Sequence, residues 1–480
     1  MKQETEINEF DNYFDDILKR YNVPGFAMGI AEDGELGYKK EFGFRDSEEK
    51  LPLSLDTVFG VGSITKAITA IAILQLQEKG KLNVHDPVSN YLPEFKTPNE
   101  EQSEKISLHH FLTHSSGLPP LATLMGAVKK SIESDPTFKV DPEQGNPLDA
   151  IHTIDTHGDL MDTIARTEFT LLGEPGTEFS YSNDGYALLG AIIERVSGMS
   201  YEQYVQENIF KPAGMHHSVF QYEDLKGYED IAVLYVLENN EDGKMIGRSN
   251  HPWDAPAMRA AGFIKSTVND MLKFMEVVRN EGKVGSARIL SPESVKVMTT
   301  PYMQCSHDTY YGYGVMIIPD FFGYKLIHHG GDIKGVTAQM GILPELGLTG
   351  VSLANLAEAP SSKLLFSAFA SYLGKPADAS HLDVEIVDIP RENLKEFEGT
   401  FMANDGMTST FYLENDELYV TIPGFATKVL QPIGNDQFLT SMRDQDITIR
   451  FRRNENRNIH RVEVAFRQIS KVEEGNESMN

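Results

Sequence analysis

Apolar residues recur at helical spacing through the middle of this 480-residue chain. Three segments show the pattern most clearly, and each ends at a glycine, the residue that most readily follows the last turn of a helix. These segments are residues 63–80, 185–198 and 268–282. From roughly residue 85 to residue 300 the pattern predicts mostly helices. Residues 125–160 are polar and predict a surface insertion that could serve as a lid.

Apolar runs typical of strands stand on both sides of this helical region. Two strands around a glycine-containing turn are predicted within residues 26–44. The later segments comprise strands at 311–318, 324–331, 337–344 and 348–355, and a helix at 361–374. We therefore expect residues 1–375 to form an α/β domain, with an antiparallel sheet flanked by helices and a mostly helical lobe over roughly residues 85–300.

The last part of the chain has a different pattern. Residues 376–391 contain prolines and are extended, as expected for a linker. Seven short apolar strands follow at regular spacing, at 398–403, 409–415, 417–422, 427–433, 437–442, 447–453 and 461–467. This spacing predicts a separate antiparallel β-barrel or sandwich over residues 392–471, followed by a tail of residues 472–480.

Composition limits the kinds of partner. Hydrophobic residues make up 40% of the chain, enough to bury a sizeable interior. The 71 acidic residues exceed the 43 basic ones, giving a net charge of −28. Such a charge repels phosphate backbones and anionic membrane surfaces, so we expect neither nucleic acid nor a membrane as partner.

The single cysteine suggests a reducing compartment. Cys305 has no partner for a disulfide within the chain, and we interpret it as a small buried apolar side chain. The acidic N-terminal region has no apolar run typical of a signal peptide, and no segment has the length of continuous apolar sequence that a membrane span needs. We therefore expect a cytoplasmic protein.

The sequence FGVGSITK, residues 59–66, places a serine at the start of a predicted helix and a lysine three residues later. Positions i and i+3 share a helix face, so Lys66 would lie beside the Ser63 hydroxyl. The positive end of the helix favours a serine alkoxide, and a desolvated lysine can act as its base. Ser47 and Lys50 have the same spacing, but they lie in a charged stretch where we expect no function.

Two further stretches carry side chains suited to acyl transfer. Tyr181 and Asn183 would project to one side of an extended segment before a helix, where a phenol can move protons and an amide can hold a carbonyl. The sequence HHGGDIKG, residues 328–335, ends a predicted strand, and its glycines leave room for a substrate backbone. Ordinary structural roles stay open for both: a helix cap with a packed tyrosine, and a glycine turn between strands.

The order Ser-x-x-Lys, Tyr-x-Asn, His-x-Gly resembles the penicillin-recognising serine hydrolases, which include class C β-lactamases, DD-peptidases, D-aminopeptidases and related esterases. Longer segments also look like this family, at residues 59–93, 106–119, 173–215 and 258–274. The resemblance covers roughly residues 10–375 and implies a β-lactamase/transpeptidase-like fold. The C-terminal strands resemble, more weakly, the lipocalin-like domain that some members carry.

The resemblance also implies roles for individual residues. Ser63 would attack a carbonyl and become acylated, and Lys66 would deprotonate it. Tyr181 would relay the proton to the leaving group, and Asn183 would position the substrate. The backbone N–H groups of Ser63 and Asp332 would form the oxyanion hole. The family implies neither a cofactor nor a metal.

The histidine motif departs from the Lys-Thr-Gly that β-lactamases and DD-peptidases typically carry on this strand. Both His328 and His329 precede a glycine by two residues, and we choose His329 with Gly331 because Gly335 then follows at the spacing frequent in the family. A mostly neutral histidine attracts a carboxylate less than a lysine does, which favours ester or D-amino-acid amide substrates and weak β-lactamase activity at most. If His329 titrates near about 6.5, carboxylate-bearing substrates should be favoured increasingly as the pH falls from about 8 to about 6.

Other functions are less favoured. His110 and His114 lie one helical turn apart, but their segment matches a family segment without a metal role, and His-Glu-x-x-His is missing. The Gly-x-Ser-x-Gly elbow is absent around Ser63. A catalytically weak penicillin-binding sensor or scaffold of the same fold is the alternative, because motif residues do not prove turnover. The expected partner is a small-molecule or short-peptide substrate, and an oligomer is compatible with the sequence.

Overall fold

The computed structural model of the chain describes residues 2–138, 140, 146–240, 243–249, 251–423 and 425–472. Part of the insertion predicted at 125–160, and all but the first residue of the tail predicted at 472–480, lie outside these residues. Within the insertion, the structure places the helix Thr123–Glu133 at its start and the helix His157–Arg166 at its end.

Nine antiparallel strands form the main sheet. In order across the sheet they are Met303–Gln304, Tyr310–Tyr311, Met316–Phe321, Tyr324–Ile333, Val336–Leu343, Leu348–Ala354, Gly25–Glu32, Glu35–Asp46 and Leu51–Pro52. The strand Gly25–Glu32, the first of the nine along the chain, pairs with Leu348–Ala354, the last of the nine along the chain, with Met28 opposite Ser352. The predicted antiparallel sheet, built from strands before residue 60 and after residue 310, is therefore confirmed, and the short strand Met303–Gln304 extends its edge beyond the prediction.

Helices cover both faces of this sheet. The α-helices are Lys2–Arg20, Thr65–Glu78, Glu100–Lys105, Leu108–Leu112, Thr123–Glu133, His157–Arg166, Asn183–Ser197, Tyr201–Val205, Lys211–Ala213, Arg259–Gly262, Val268–Arg279, Pro292–Met298, Ser361–Tyr372 and Arg391–Leu394. The helices at the two ends of the domain, Lys2–Arg20 and Ser361–Tyr372, share one apolar cluster with the sheet. Side chains alternate along a strand, so Phe26 and Met28 join this cluster while Ala27 joins the one on the opposite face.

The larger apolar cluster joins the opposite face of the sheet to the helical lobe. The helix Thr65–Glu78 lies at its centre, and twelve consecutive residues from Thr65 to Leu76 are buried. The lobe also contains a β-hairpin that the periodicity did not predict, formed by Leu234–Asn240 and Gly243–Ser249. The first of these strands begins with the sequence LYVL, which is rich in the β-branched and aromatic residue types that favour strands.

The C-terminal strands close into a barrel that is separate from the main sheet. Its eight strands are Gly399–Met402, Thr408–Glu414, Glu417–Thr421, Lys428–Gly434, Gln437–Met442, Gln445–Arg453, Ile459–Val464 and Arg467–Lys471. The prediction of one strand at 461–467 is wrong, because residues 465 and 466 form a turn. The eighth strand begins after this turn, at Arg467. Neither turn residue is a glycine or asparagine, so the sequence lacks the usual signal for a tight hairpin.

Among the helices in the part of the chain that the structure describes, none combines the length and the apolar character needed to cross a membrane.

Candidate active site

The predicted nucleophile lies at the entrance to the central helix. Gly62–Ile64 form a 3₁₀ turn that continues directly into the helix Thr65–Glu78. Ser63 is partly exposed, whereas Lys66, one turn further along, is fully buried. Lys66 is enclosed because this helix is buried on all sides, between the sheet and the lobe.

Three oxygen atoms surround the Lys66 amine. Its Nζ lies 3.1 Å from Ser63 Oγ, 2.8 Å from Asn183 Oδ1 and 2.6 Å from the backbone carbonyl of Ala261. The structure thus brings Asn183 to Ser63 and Lys66, although Asn183 lies 117 residues beyond Lys66 in the sequence. Ala261 was not predicted as a site residue, because a backbone carbonyl leaves no signature in the side-chain pattern.

The environment of Lys66 favours its uncharged form. Burial lowers the pKa of Lys66 well below its usual value, and the positive charge of Arg467 adds to this effect, while Asp184 opposes it. A lysine that is neutral at physiological pH can accept a proton from a neighbouring hydroxyl. The lowered pKa and the short distance to Ser63 are what the predicted base of a Ser-x-x-Lys motif requires.

His114 holds the Tyr181–Asn183 segment through two hydrogen bonds. The backbone N–H of Ser182 donates to His114 Nδ1 at 3.1 Å, and that of Ser180 donates to the His114 carbonyl at 2.9 Å. Ser182 caps the helix Asn183–Ser197 by accepting from the Gly185 N–H. The capping role considered for Asn183 or Asp184 therefore belongs to Ser182, which leaves the Asn183 amide free to contact Lys66.

Tyr181 lies beside Lys66, and its phenol is protonated. Its ring lies over the Lys66 amine, which is 4.7 Å from the ring centroid. Among the described residues the buried hydroxyl has no hydrogen-bond partner. Burial raises the pKa of Tyr181, whereas the nearby Ser63 lowers it. Burial prevails and raises the pKa of Tyr181, so the phenol is protonated at neutral pH.

The two histidines lie on opposite faces of the strand Tyr324–Ile333. The His328 ring packs against Phe366 behind the sheet, with ring centroids 5.1 Å apart. The His329 ring lies on the side of Tyr181, at 6.2 Å, and its Nε2 is 2.9 Å from the Tyr311 hydroxyl. The geometry thus places His329, and not His328, next to the proposed machinery.

His329 does not carry the charge that its usual pKa would give it. Burial, with a smaller contribution from the nearby Lys66, lowers the pKa of His329 to about 3. The sequence-based expectation that it becomes protonated between about pH 8 and pH 6 is therefore wrong. A desolvated imidazole cannot gain a proton without losing the solvation that stabilises the charge.

We therefore expect the preference between a carboxylate-bearing substrate and its neutral analogue not to change with pH in this range. The ratio of kcat/KM for a carboxylate-bearing ester over its neutral analogue should stay constant between about pH 8 and pH 6, because His329 remains neutral throughout. Steady-state kinetics on the two esters at several pH values give this ratio. A rise toward pH 6 would mean that His329 is protonated in the substrate complex.

Close backbone approach defines the proposed oxyanion hole. A Cβ atom at Gly62 would lie 2.7 Å from the backbone nitrogen of Asp332, and one at Gly331 would lie 3.1 Å from that of Ser63. Gly62 also has a positive φ of 52°, which a side chain would disfavour. The missing side chains let the strand Tyr324–Ile333 approach the start of the helix, so the N–H groups of Ser63 and Asp332 come from adjoining segments.

His110 and His114, the two histidines considered as metal ligands, each have a structural hydrogen bond. His110 Nδ1 accepts a hydrogen bond from the Ser107 N–H and completes a capping box on the helix Leu108–Leu112. His114 holds the Tyr181 segment, as described above. Each histidine thus has a structural contact through Nδ1, while the buried Nε2 of His114 has no hydrogen-bond partner among the described residues.

Comparison with known proteins agrees with this geometry. A family model described as Beta-lactamase matches residues 10–366. Penicillin-binding protein 4* of Bacillus subtilis (strain 168) is 25% identical over 449 residues, which are 91% of this chain and 92% of that protein. The putative penicillin-binding protein PbpX of the same strain is 32% identical over 322 residues, 66% of this chain and 68% of that protein.

A solved structure covers nearly the whole chain. The octameric penicillin-binding protein homologue from Pyrococcus abyssi is 28% identical and superposes with a TM-score of 0.69. The match spans 97% of this chain and 100% of that one, including the C-terminal barrel. With a family model that matches most of its length and a penicillin-binding relative above 30% identity, the chain belongs to the β-lactamase family of serine hydrolases.

Proposed function

We propose that the protein hydrolyses an ester or amide through a covalent acyl-enzyme on Ser63, as an esterase or D-amino-acid peptidase with weak β-lactamase activity at most. The observation that carries this proposal is the buried Lys66 amine, 3.1 Å from the Ser63 hydroxyl, with a pKa lowered by burial. Burial of an amine is costly, and here the buried amine lies beside a serine hydroxyl to which it can act as a base.

The hydrogen bonds of Lys66 fit the role of a base. An uncharged amine has two N–H groups and one lone pair. The Ala261 carbonyl and the Asn183 amide oxygen accept the two N–H groups, which leaves the lone pair for the Ser63 hydroxyl. Ser63 would then lose its proton to Lys66 as it attacks the substrate carbonyl.

The later steps fall to the groups around Ser63. The N–H groups of Ser63 and Asp332 would stabilise the oxyanion of the tetrahedral intermediate. Tyr181, a neutral phenol at the start, would pass its proton to the leaving group and take back from Lys66 the proton that came from Ser63, so that both groups are restored. It would also help to activate the water that hydrolyses the acyl-enzyme. Asn183 would position the substrate beside Lys66.

The choice of substrate class follows from His329. Relatives that act efficiently on β-lactams carry a lysine at the position proposed for His329, and the imidazole here supplies no positive charge above about pH 3. The strand therefore lacks the cation that would attract a β-lactam carboxylate. Esters and amides that do not depend on this cation fit the site better.

A fluorophosphonate probe and a small substrate panel test the proposal. Labelling of the native protein, with turnover of simple esters or D-amino-acid amides and slow turnover of a chromogenic cephalosporin, is the expected result. Acylation without turnover would instead identify a penicillin-binding sensor. Absence of both labelling and turnover would identify a scaffold.

The Tyr181→Phe variant should lose activity without losing stability. We expect acylation to slow by about 10²–10⁴-fold, the usual range for a general acid–base group. The melting temperature should change little, because the hydroxyl makes no hydrogen bond with any described residue. Stopped-flow acylation and thermal unfolding measure the two effects, and a variant that unfolds but acylates normally would assign Tyr181 to packing alone.

Self-association is part of the same proposal. The Pyrococcus abyssi homologue is described as octameric, which supports an oligomer of this chain as well. Sedimentation velocity would measure it directly.

A further inference from the structure

One hairpin of the C-terminal barrel reaches the proposed active site. The strands Ile459–Val464 and Arg467–Lys471 are joined by Ala465 and Phe466, which have φ angles of 49° and 65°. Left-handed backbone is unusual for a residue with a side chain, especially for a bulky one such as phenylalanine. Two-residue hairpin turns of type I′ need positive φ at both positions, and the barrel has three more such pairs, at 415–416, 435–436 and 443–444.

The contacts that hold this turn come from the Tyr181 segment. The backbone N–H of Tyr181 donates to the Phe466 carbonyl at 2.9 Å. Gln468, which is almost fully buried, donates through Nε2 to Glu178 at 2.8 Å and to the Phe179 carbonyl at 3.1 Å. The barrel is therefore bonded to the chain immediately before the Tyr-x-Asn motif, while the Phe466 side chain remains 39% exposed.

A second barrel hairpin meets the other side of the cleft. Its turn is Arg443–Asp444, also with positive φ angles, and Arg443 Nη1 lies 2.8 Å from Asp332 Oδ1. Asp332 belongs to the strand that carries His329, and its N–H is the second donor of the proposed oxyanion hole. The barrel thus spans the cleft from the Tyr181 side to the Asp332 side.

The first of these two hairpins carries a positive charge beside its contact with Tyr181. The Arg467 guanidinium donates to Asp405 Oδ2 at 2.6 Å, and its side chain is 25% exposed. Arg467 directly follows Phe466, whose carbonyl accepts the Tyr181 N–H, so it lies next to the contact between the barrel and the Tyr181 segment. In keeping with this position, its charge lowers the pKa of Lys66 and of Tyr181.

Resting on the hydrolytic function proposed above, we propose that the barrel forms one wall of the substrate cleft and that Arg467 binds a carboxylate of the substrate. The guanidinium has five N–H donors, and among the described residues its side chain donates only to Asp405 through Nη1. A carboxylate is the group that a guanidinium pairs with best, through two parallel hydrogen bonds. This arginine belongs to the C-terminal barrel and not to the strand that carries His329, so it would bind a carboxylate at a different place in the cleft.

Three matched esters test this inference. They are para-nitrophenyl hemisuccinate, its neutral methyl ester, and the acetate ester of a carboxylated nitrophenol, which moves the carboxylate to the leaving group. We expect Arg467→Gln to lower kcat/KM by about tenfold or more for at least one carboxylate-bearing ester, the range of a lost charge-assisted hydrogen bond. The neutral ester should change less than about threefold, and the ratio between esters cancels any effect on Lys66.

Arg457→Gln is the matched control. Arg457 lies on an exposed turn of the same barrel, and its replacement removes the same charge without touching the cleft. Equal kcat/KM ratios in Arg467→Gln, Arg457→Gln and the native protein would overturn the role of Arg467, while turnover of the esters would still support the hydrolase. Absence of Ser63 labelling and of all turnover in the native protein would overturn the proposed function itself.

A second variant separates binding from folding. Arg467→Gln leaves the Asp405 carboxylate without its partner, which could destabilise the barrel. The double variant Asp405→Asn/Arg467→Gln removes both charges and should restore the melting temperature but not the preference for the carboxylate. Recovery of that preference in the double variant would mean that Arg467 serves only to neutralise Asp405.

Discussion

Replacing Ser63 by alanine is expected to abolish fluorophosphonate labelling and to reduce hydrolysis by about 10⁴-fold or more, the scale seen when a covalent nucleophile is removed. Ser63 is the hydroxyl that the structure places beside the Lys66 amine, at a partly exposed position. The fold should be retained, because the substitution removes one oxygen atom from the surface of the cleft. Gel-based labelling and steady-state kinetics measure the two effects.

Ser47→Ala is the control for this experiment. Ser47 has the same spacing to a lysine, but its hydroxyl lies 2.8 Å from the Tyr235 hydroxyl and not beside an amine. Its replacement should change neither labelling nor turnover. Full activity in the Ser63→Ala variant would contradict the mechanism proposed for this site.

The Lys66→Met variant should lose about 10²–10⁴-fold in acylation rate and keep the fold. Methionine fills the space of the buried aliphatic chain but cannot accept the Ser63 proton. Alanine is less informative, because a cavity left by a fully buried side chain of this size costs about 2–5 kcal/mol and mixes stability with catalysis. Single-turnover acylation and thermal unfolding distinguish the two effects.

A second buried lysine provides the comparison. Burial lowers the pKa of Lys265 to about 8, and its amine donates to the Phe220 carbonyl rather than to a serine. Lys265→Met removes a buried amine from the same lobe and should leave the acylation rate near that of the native protein. Equal losses in both variants would show that the effect of Lys66 is structural.

The sequence pattern was sufficient where periodicity and burial agree. The helix from Ser63 and the strands after residue 310 are long, apolar and bounded by glycines, so local sequence already specifies them. The spacing of Ser63 and Lys66 within one helical turn also follows from helix geometry alone. For these elements the structure agrees with the predicted secondary structure and supplies the distances between side chains.

Other features depend on tertiary contacts that no local pattern contains. The turn at Ala465 and Phe466 is stabilised by the distant Tyr181 N–H, so it carries no turn residue of its own. The Ala261 carbonyl becomes a partner of Lys66 only through packing. The neutral state of His329 results from burial against Tyr311, which cannot be judged from the pair of histidines in the sequence.

The position of the first strand in the sheet has a consequence for synthesis on the ribosome. Gly25–Glu32 pairs with Glu35–Asp46 on one side and with Leu348–Ala354 on the other. At about 5–20 residues per second, the second partner leaves the ribosome roughly tens of seconds after the first. Until then the apolar strand Gly25–Glu32 has one neighbour in the sheet instead of two. The main sheet can therefore be completed only after Leu348–Ala354 has been made, long after the nucleophile.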